Sequence, residues 1–284
     1  QTARFLIMAT GCLSVPHTPD IDGLEGFTGP VYHTGQWPHE PVDFSGQQVA
    51  VIGTGSSGIQ VIPNIAEEAE HLTVFQRTPN YSVPAGNEPL DADDLAAMKR
   101  QYNEHRAEAR RSAIGIPIEV EAESALDLSE EERRQLYEDL WGTGGFEFLF
   151  AIGDLLVDEA SNETCAAFVR EKIREAVDDP EVAELLTPQD YPIGTKRICL
   201  DSGYFDTYNR DNVRLVDVKQ DPIATFTPEG LRTEDAEYQF DMLVLATGFD
   251  AMTGALLNVD IRGRGGRRLA DKWQNGPRMH LGLM

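Results

Sequence analysis

A glycine-rich segment, Gly53–Gly58, has the pattern Gly-x-Gly-x-x-Gly and directly follows an apolar run at Val49–Ile52. When a strand precedes this pattern and a helix follows it, the first glycine permits a tight turn and the second lets the backbone approach a pyrophosphate. The third allows the helix to pack against the strand. The helix N-terminus offers free N–H groups and partial positive charge to an anion. The segment therefore predicts a dinucleotide site, with a glycine-rich turn that binds no ligand as the simpler alternative.

Arg77 lies where the second strand of such a unit ends, and its type indicates which dinucleotide is favoured. An NAD site places Asp or Glu roughly 20 residues beyond the glycines, where the carboxylate holds the ribose 2′-hydroxyl. The segment Phe75–Thr78 contains no acidic residue. The planar guanidinium of Arg77 suits a 2′-phosphate, and Thr78 adds a hydroxyl. The sequence thus favours NADPH over NADH, unless Arg77 is only an exposed surface side chain.

A third pattern, Phe-x-Gly-x-x-x-His-x-x-x-Trp-Pro, precedes the glycine-rich segment. It consists of Phe27, Gly29, His33, Trp37 and Pro38. Judged by residue types alone, it is a segment turned at a glycine. The histidine and the tryptophan are then anchors of the core or of a loop.

Two strand-like runs and a helical stretch place these residues in a βαβ unit. The strands are Val49–Ile52 and Leu72–Phe75, and the helix between them runs from Ser57 to Ala69. This order predicts an α/β fold of Rossmann type with a parallel sheet. Residues 186–284 return to strands. The predicted runs there are Val213–Val216, a hairpin of Ile223–Thr227 with Leu231–Phe240, and a buried strand at Asp241–Ala246 that ends in Thr247-Gly248, echoing Arg4–Gly11.

Residues 86–185 differ in character from the rest of the chain. They contain 26 acidic and 10 basic residues and contribute −16 to the net charge of −24. Ser129 with Glu132 predicts a capping box, and Asp179-Pro180 predicts another helix start. We interpret a helical insertion whose acidic residues form solvated faces. The predicted helices are Leu90–Arg111, Ser129–Leu140, Phe146–Val157 and Cys165–Val177.

The overall composition excludes several classes of partner. The 284 residues include 48 acidic and 24 basic ones, which argues against nucleic acid, because phosphate contacts need a basic surface. It also argues against an anionic membrane, and no apolar run approaches the roughly 20 residues of a membrane span. Cys12, Cys165 and Cys199 are far apart, which favours reduced thiols and a cytoplasmic location. The histidines form no cluster that predicts a metal site.

With these motifs the chain resembles the Baeyer–Villiger monooxygenases, flavoproteins that insert oxygen beside a ketone carbonyl. The resemblance is strongest at Phe27–Pro38, where Trp37-Pro38 differs from the Tyr or Phe usual in the related flavin-containing monooxygenases. It extends over almost the whole chain. Further stretches similar to this family are Val74–Pro79, Tyr191–Arg197, Tyr208–Val213 and Ala246–Asp250.

The resemblance implies that the family's cofactors, FAD and NADP, bind here, and it implies roles for single residues. Arg77, Thr78 and Lys196 would hold the 2′-phosphate end of NADPH. Arg197 would contact the cofactor and would also act in catalysis. Its fixed positive charge would stabilise a C4a-peroxyflavin and the alkoxide formed from the ketone. His33 and Trp37 would link domain movement to catalysis. The implied pyrophosphate turn comprises Gly53, Thr54, Gly55, Ser56, Ser57, Gly58, Ile59 and Gln60.

The resemblance also implies a domain organisation and a reaction. A Rossmann-like NADPH-binding domain would cover residues 12–246, with a helical insertion at about 88–188, between parts of an FAD-binding domain at 1–11 and 247–284. The partners would be a small ketone and O2, and the product an ester or lactone. The chain would be an inactive central piece of this enzyme, since its sequence has one Gly-x-Gly-x-x-Gly pattern. The alternatives are a flavin-containing monooxygenase that oxidises N or S atoms, and an NADP(H)-binding module without activity.

Overall fold

The chain folds into an α/β structure built on a parallel sheet. A computed structural model describes residues 11–112 and 115–279, together with the single residues 2, 4, 7 and 9. Its strands are β1 (Val31–His33), β2 (Gln48–Ile52), β3 (His71–Gln76), β4 (Ser82–Pro84), β5 (Cys199–Asp201), β6 (Val213–Asp217), β7 (Ile223–Thr227), β8 (Gly230–Thr233), β9 (Glu237–Gln239) and β10 (Met242–Leu245). Its α-helices are α1 (Ser56–Glu68), α2 (Ala92–Ala109), α3 (Glu130–Thr143), α4 (Glu147–Phe150), α5 (Glu159–Ala176), α6 (Pro180–Leu186), α7 (Tyr204–Thr207), α8 (Gly254–Leu257) and α9 (Leu269–Trp273).

The main sheet has five strands in the order β1-β10-β2-β3-β6, and all neighbouring strands are parallel. The predicted βαβ unit is confirmed as β2, α1 and β3, which pair from Gln48 opposite His71 to Ile52 opposite Phe75. The chain leaves β2 toward β3 and β6 and later returns to the other side of β2 as β10. The carboxyl ends of these strands therefore meet at a topological switch point, where α/β folds bind ligands.

Different layers cover the two faces of this sheet, which explains why β2 and β3 are almost continuously apolar. On one face Val49 and Val74 pack with α1 and the inserted helices. On the other face Ile52 and Phe75 pack under a small antiparallel sheet of β7, β8 and β9, with the Phe75 and Tyr238 rings 5.1 Å apart. Within the part of the chain that the structure describes, no helix is long and apolar enough to cross a membrane.

In the sequence, helices α2 to α6 follow β4 and precede β5, and they make up the acidic insertion. The capping box predicted for α3 is confirmed: Ser129 Oγ accepts from the Glu132 N–H, and the Glu132 carboxylate accepts from the Ser129 N–H. Ion pairs at the surface, such as Arg134 with Glu171 and the partly buried Lys172 with Glu138, connect α3 with α5. The acidity of this region is thus partly neutralised on its own surface.

Two helix predictions in the insertion were wrong. The run Phe146–Val157 forms only the short α4, because the following residues bond to a neighbouring loop: Gly153 donates to the Ala122 carbonyl at 2.9 Å and Glu121 donates to the Ala151 carbonyl at 2.7 Å. Helix α5 begins at Glu159, six residues before the predicted start, because the Asp158 carboxylate caps its first turn.

The predicted strand Leu231–Phe240 was also wrong, because a turn divides it into β8 and β9. The Thr233 N–H donates to the Ala236 carbonyl, and the Thr233 hydroxyl accepts from the Ala236 N–H. The strand predicted over Arg4–Gly11 lies mostly outside the described residues. Its resemblance to the end of β10 therefore stays a prediction.

Candidate cofactor-binding site

A cavity of about 500 Å³ opens at the carboxyl ends of the parallel strands. Gly53 follows β2, Arg77 follows β3, Val218 follows β6 and Ala246 follows β10, so each strand delivers a wall residue to the same edge. The other lining residues are His17, Pro19, Ile21, Ile52, Thr54, Gly55, Phe75, Thr78, Asn80, Lys196, Ile223, Thr247 and Gly248. The topology thus brings the glycine-rich turn and the predicted cations into one space.

The three glycines of the turn occupy positions where a side chain has different consequences. Gly53 has a φ of 108°, and a Cβ there would lie 2.5 Å from the Ala246 carbonyl oxygen. A Cβ on Gly58 would lie 2.3 Å from the Gly53 carbonyl oxygen, so α1 approaches the turn too closely for any side chain. A Cβ on Gly55 would meet no atom within 4 Å. Backbone geometry therefore requires glycine at 53 and 58, whereas the space above Gly55 is open.

The first turn of α1 is available to an anion. Gly55 is the N-cap and no side chain bonds to the helix start, so the N–H groups of Ser56, Ser57 and Gly58 lack an acceptor within the helix. Ile59 is different, because its N–H donates to the Gly55 carbonyl at 2.9 Å and its side chain is buried in the core. The N–H of Ile59 is therefore already bonded, its side chain packs the helix start, and its predicted contact with the cofactor stays a prediction.

Hydrogen bonds tie the glycine-rich turn to the segment after β3. The Thr54 hydroxyl donates to the Thr78 carbonyl at 3.1 Å, and the Asn80 amide donates to the Thr54 carbonyl at 2.7 Å. Asn80 also lines the cavity. Sequence reasoning missed it, because a polar residue in a loop carries no motif.

The pairing of β4 with β5 explains how Lys196 reaches the cavity. These strands are parallel, with Ser82 opposite Cys199, so the segments that precede them lie side by side. Lys196 is exposed at the cavity mouth, but partial desolvation lowers its pKa, and the charge of Arg77 lowers it further. Among residues 11–112 and 115–279, neither cation forms an ion pair. Two uncompensated positive charges in one cavity create a place for an anion.

Arg197 lies beside a second cavity, of about 300 Å³. Its guanidinium carbon lies 5.5 Å from the centre of the Phe146 ring. Lys196 contributes to both cavities, so the two spaces adjoin at the Lys196-Arg197 pair. The remaining lining is apolar apart from backbone: Ile116, Phe146, Leu149, Phe150, Leu156, Gly194 and Ile198. A fixed positive charge thus borders an apolar space.

His33 lies on β1 and contacts the chain where it leaves β10. Its Nδ1 accepts from the Gly35 N–H at 3.0 Å, which leaves Nε2 to donate to the Thr247 hydroxyl at 3.3 Å. The Thr247 hydroxyl in turn donates to the His17 carbonyl. His33 therefore joins three separate segments around Thr247, which lines the 500 Å³ cavity.

The other residues of that sequence pattern pack around β1 and β10. Phe27 is buried, with its ring 5.1 Å from that of Phe240. A Cβ on Gly29 would lie 2.1 Å from the Asp241 carbonyl oxygen. Trp37, which precedes Pro38, is 36% exposed and lies 5.8 Å from the Tyr32 ring. The residues of this pattern contact other parts of the fold rather than lining either cavity. His33 reaches the larger cavity only indirectly, through its hydrogen bond to Thr247.

The chain has an α/β fold of Rossmann type, with a parallel sheet and a helical insertion. No family model matches the chain. The chain is 44% identical to a Baeyer–Villiger monooxygenase of Pseudooceanicola batsensis over 100% of the chain and 52% of the relative. It is 44% identical to the cyclohexanone 1,2-monooxygenase of an Acinetobacter species and 41% identical to the phenazine N-monooxygenase of Lysobacter antibioticus, each over 99% of the chain and 52% of the relative.

A solved structure of oxidised steroid monooxygenase bound to NADP superposes with a TM-score of 0.91 at 57% identity, covering 97% of this chain and 53% of that one. The chain is homologous over almost its whole length to Baeyer–Villiger monooxygenases. It spans about half the length of the curated relatives that it matches. The resemblance inferred from the sequence motifs is thereby confirmed.

Proposed function

We propose that the chain is the NADPH-binding part of an FAD- and NADPH-dependent Baeyer–Villiger monooxygenase. Residues 12–246, with the insertion at about 88–188, form the NADPH-binding domain in this proposal. Residues 1–11 and 247–284 belong to the FAD-binding domain, whose glycine-rich turn is not part of this chain. The similarity to a steroid monooxygenase bound to NADP supports the assignment. The cytoplasmic location inferred from the cysteines stays a prediction.

One observation carries the NADPH assignment: the cavity that contains the glycine-rich turn also contains Arg77 and Lys196, both without an ion-pair partner among the described residues. The open space above Gly55 and the free N–H groups of Ser56 and Ser57 fit a pyrophosphate. Arg77, Thr78 and Lys196 fit a 2′-phosphate, whose negative charge would offset the repulsion between Arg77 and Lys196. The residues present therefore fit NADPH. Gln60, at the end of the predicted pyrophosphate turn, is exposed.

The proposed reaction converts a ketone, O2, NADPH and a proton into an ester or lactone, water and NADP⁺. Bound FAD supplies the transfer of electrons from NADPH to O2. Arg197 has the catalytic role: its guanidinium borders an apolar space that suits a ketone. There it would stabilise the negative charge that develops on the carbonyl oxygen. His33 and Trp37 keep the proposed role of coupling the NADPH domain to the rest of the enzyme.

Product analysis tests the proposed activity. The full gene product that contains this chain is incubated with O2, NADPH and either a cyclic ketone or a tertiary amine, and the products are identified by mass spectrometry. We expect a lactone from the ketone, with one NADPH consumed per lactone. An N-oxide without lactone would favour the second candidate, an N-oxidising monooxygenase, which the similarity to phenazine N-monooxygenase supports. If NADPH binds but neither product forms, the remaining interpretation is an NADP(H)-binding module without activity.

Replacing Arg77 with alanine tests the choice of NADPH over NADH. Loss of charge-assisted hydrogen bonds of about 1.5–3 kcal/mol corresponds to roughly 10- to 100-fold weaker NADP⁺ binding. NAD⁺ lacks the phosphate, so its Kd should change by less than about threefold. Calorimetry on the 284-residue chain measures both values. Arg100→Ala, on the exposed surface of α2, is the control for charge, and equal losses for both nucleotides would refute the assignment.

A further inference from the structure

Tyr191 connects the two parts of the cavity that the NADPH assignment uses. Its ring lies under Lys196, with the ammonium nitrogen 4.4 Å from the ring centre. Its hydroxyl donates to the Pro79 carbonyl at 2.7 Å and contacts the Asn80 amide oxygen at 3.1 Å. One side chain therefore contacts both a phosphate-binding candidate and the loop after β3.

The contact with Asn80 continues into the glycine-rich turn. The Asn80 amide nitrogen donates to the Thr54 carbonyl at 2.7 Å. A chain of hydrogen bonds thus runs from the Tyr191 hydroxyl through Asn80 to the backbone that would face the pyrophosphate. Because Tyr191 is more than 100 residues from both partners in sequence, the folded insertion must be in place before this connection forms.

Neighbouring groups fix the Tyr191 ring. Tyr81 packs edge-on against it, with ring centres 5.5 Å apart. The Tyr81 hydroxyl is itself bonded to the Pro188 carbonyl. Burial raises the pKa of Tyr191 well above its usual range, so its hydroxyl remains a donor. The ring is therefore a rigid platform rather than a mobile surface side chain.

Lys196 needs such a platform. Arg77 repels it, and withdrawal from water also disfavours its charge. The face of a phenol ring carries partial negative charge and attracts an ammonium group within about 6 Å. Of the contacts that the structure describes for the Lys196 ammonium, the ring of Tyr191 is the attractive one at short range.

We propose that Tyr191 is a positioning residue that sets the preference for NADPH: its ring holds the Lys196 ammonium beside Arg77, at the place of the 2′-phosphate. The inference rests on the proposed NADPH site and deepens it. The ring acts on NADPH alone, because NADH has no 2′-phosphate. The hydroxyl acts on both nucleotides, because it supports the turn through Asn80.

Two substitutions in the full chain separate the ring from the hydroxyl. Tyr191→Leu removes the ring, and we expect NADP⁺ binding to weaken roughly three- to fivefold more than NAD⁺ binding. Tyr191→Phe keeps the ring, so both nucleotides should weaken together and their Kd ratio should stay at the unmodified value. Calorimetry with NADP⁺ and NAD⁺ gives the ratio. The proposal would be overturned if Tyr191→Leu weakened NADP⁺ and NAD⁺ binding equally. It would also be overturned if Tyr191→Phe changed the Kd ratio as much as Tyr191→Leu does.

A third variant covers the case in which Tyr191→Leu does not fold. Trifluorophenylalanine at position 191 keeps the shape of phenylalanine but removes negative charge from the ring face. The ratio of the Kd values should shift toward NAD⁺ relative to Tyr191→Phe. In a Lys196→Met background none of these ring changes should alter the ratio. An effect that persists without Lys196 contradicts the proposed contact.

A measurement without nucleotide distinguishes failure of this proposal from failure of the NADPH assignment. The pKa of Lys196 is obtained from the pH dependence of its acylation rate, read by peptide mass spectrometry. Loss of the ring in Tyr191→Leu should lower this pKa, because the repulsion from Arg77 remains, whereas Tyr191→Phe should not change it. A chain that binds no NADP⁺ but shows this shift refutes the NADPH site alone. A chain that binds NADP⁺ and shows no shift refutes the role of Tyr191.

Discussion

Replacing Gly55 with alanine is expected to weaken NADP⁺ binding about 100-fold while the free energy of unfolding stays nearly unchanged. A Cβ there meets no protein atom within 4 Å, and the residue has a φ of −79°, which alanine adopts without strain. The methyl group would instead occupy the space of the proposed pyrophosphate. Loss of two charge-assisted hydrogen bonds corresponds to about 3 kcal/mol or more, roughly 100-fold in Kd. NAD⁺ should be affected equally, because both nucleotides carry the pyrophosphate.

Gly58→Ala is the matched control, because the same methyl group meets the protein there. Its Cβ would lie 2.3 Å from the Gly53 carbonyl oxygen, so the helix must move away from the turn, at a cost of about 1–3 kcal/mol. Denaturant unfolding should show this loss for Gly58→Ala and almost none for Gly55→Ala. If Gly55→Ala retained the affinity of the unmodified chain for NADP⁺, the pyrophosphate would not approach the backbone at this turn.

Local patterns were sufficient to predict the centre of the fold. The turn at Gly53–Gly58 and the two strands around it depend on neighbours within about 30 residues, where periodicity and glycine spacing are informative. The capping box at Ser129 is local in the same sense. Prediction was wrong where tertiary contacts overrode the local pattern, as in the run Phe146–Val157, whose continuation bonds to a loop about 30 residues earlier.

The cavities depend on contacts that no local pattern contains. Arg77 and Lys196 are both basic residues near a strand, but their common position follows from the parallel pairing of β4 with β5. Tyr191 and Asn80 carry no motif of their own. The apolar space beside Arg197 is formed by residues of the insertion and of the loop before β5. The resemblance to the family predicts a catalytic role for Arg197. The structure adds that its guanidinium lies beside an apolar cavity.

Arg197→Ala in the full gene product is expected to reduce the rate of ester formation by roughly 100- to 1000-fold. This is the effect of removing one preorganised donor from a site where negative charge develops. Binding of NADP⁺ should change much less, because Arg197 lies at the 300 Å³ cavity while Arg77 and Lys196 line the larger one. Steady-state product formation at saturating NADPH, together with a separate NADP⁺ titration, measures the two effects.

Lys196→Met is the matched control, since it removes the adjacent charge from the same loop. Lys196→Met should weaken NADP⁺ binding, but at saturating NADPH its rate of ester formation should be close to that of the unmodified enzyme. This is the opposite pattern to Arg197→Ala. Arg197→Lys should recover only part of the rate, because an ammonium keeps the charge but lacks the planar fork of donors. An Arg197→Ala enzyme that forms ester at an undiminished rate would show that the charge beside the apolar cavity has no part in the reaction. The two neighbouring cations would then serve the cofactor alone.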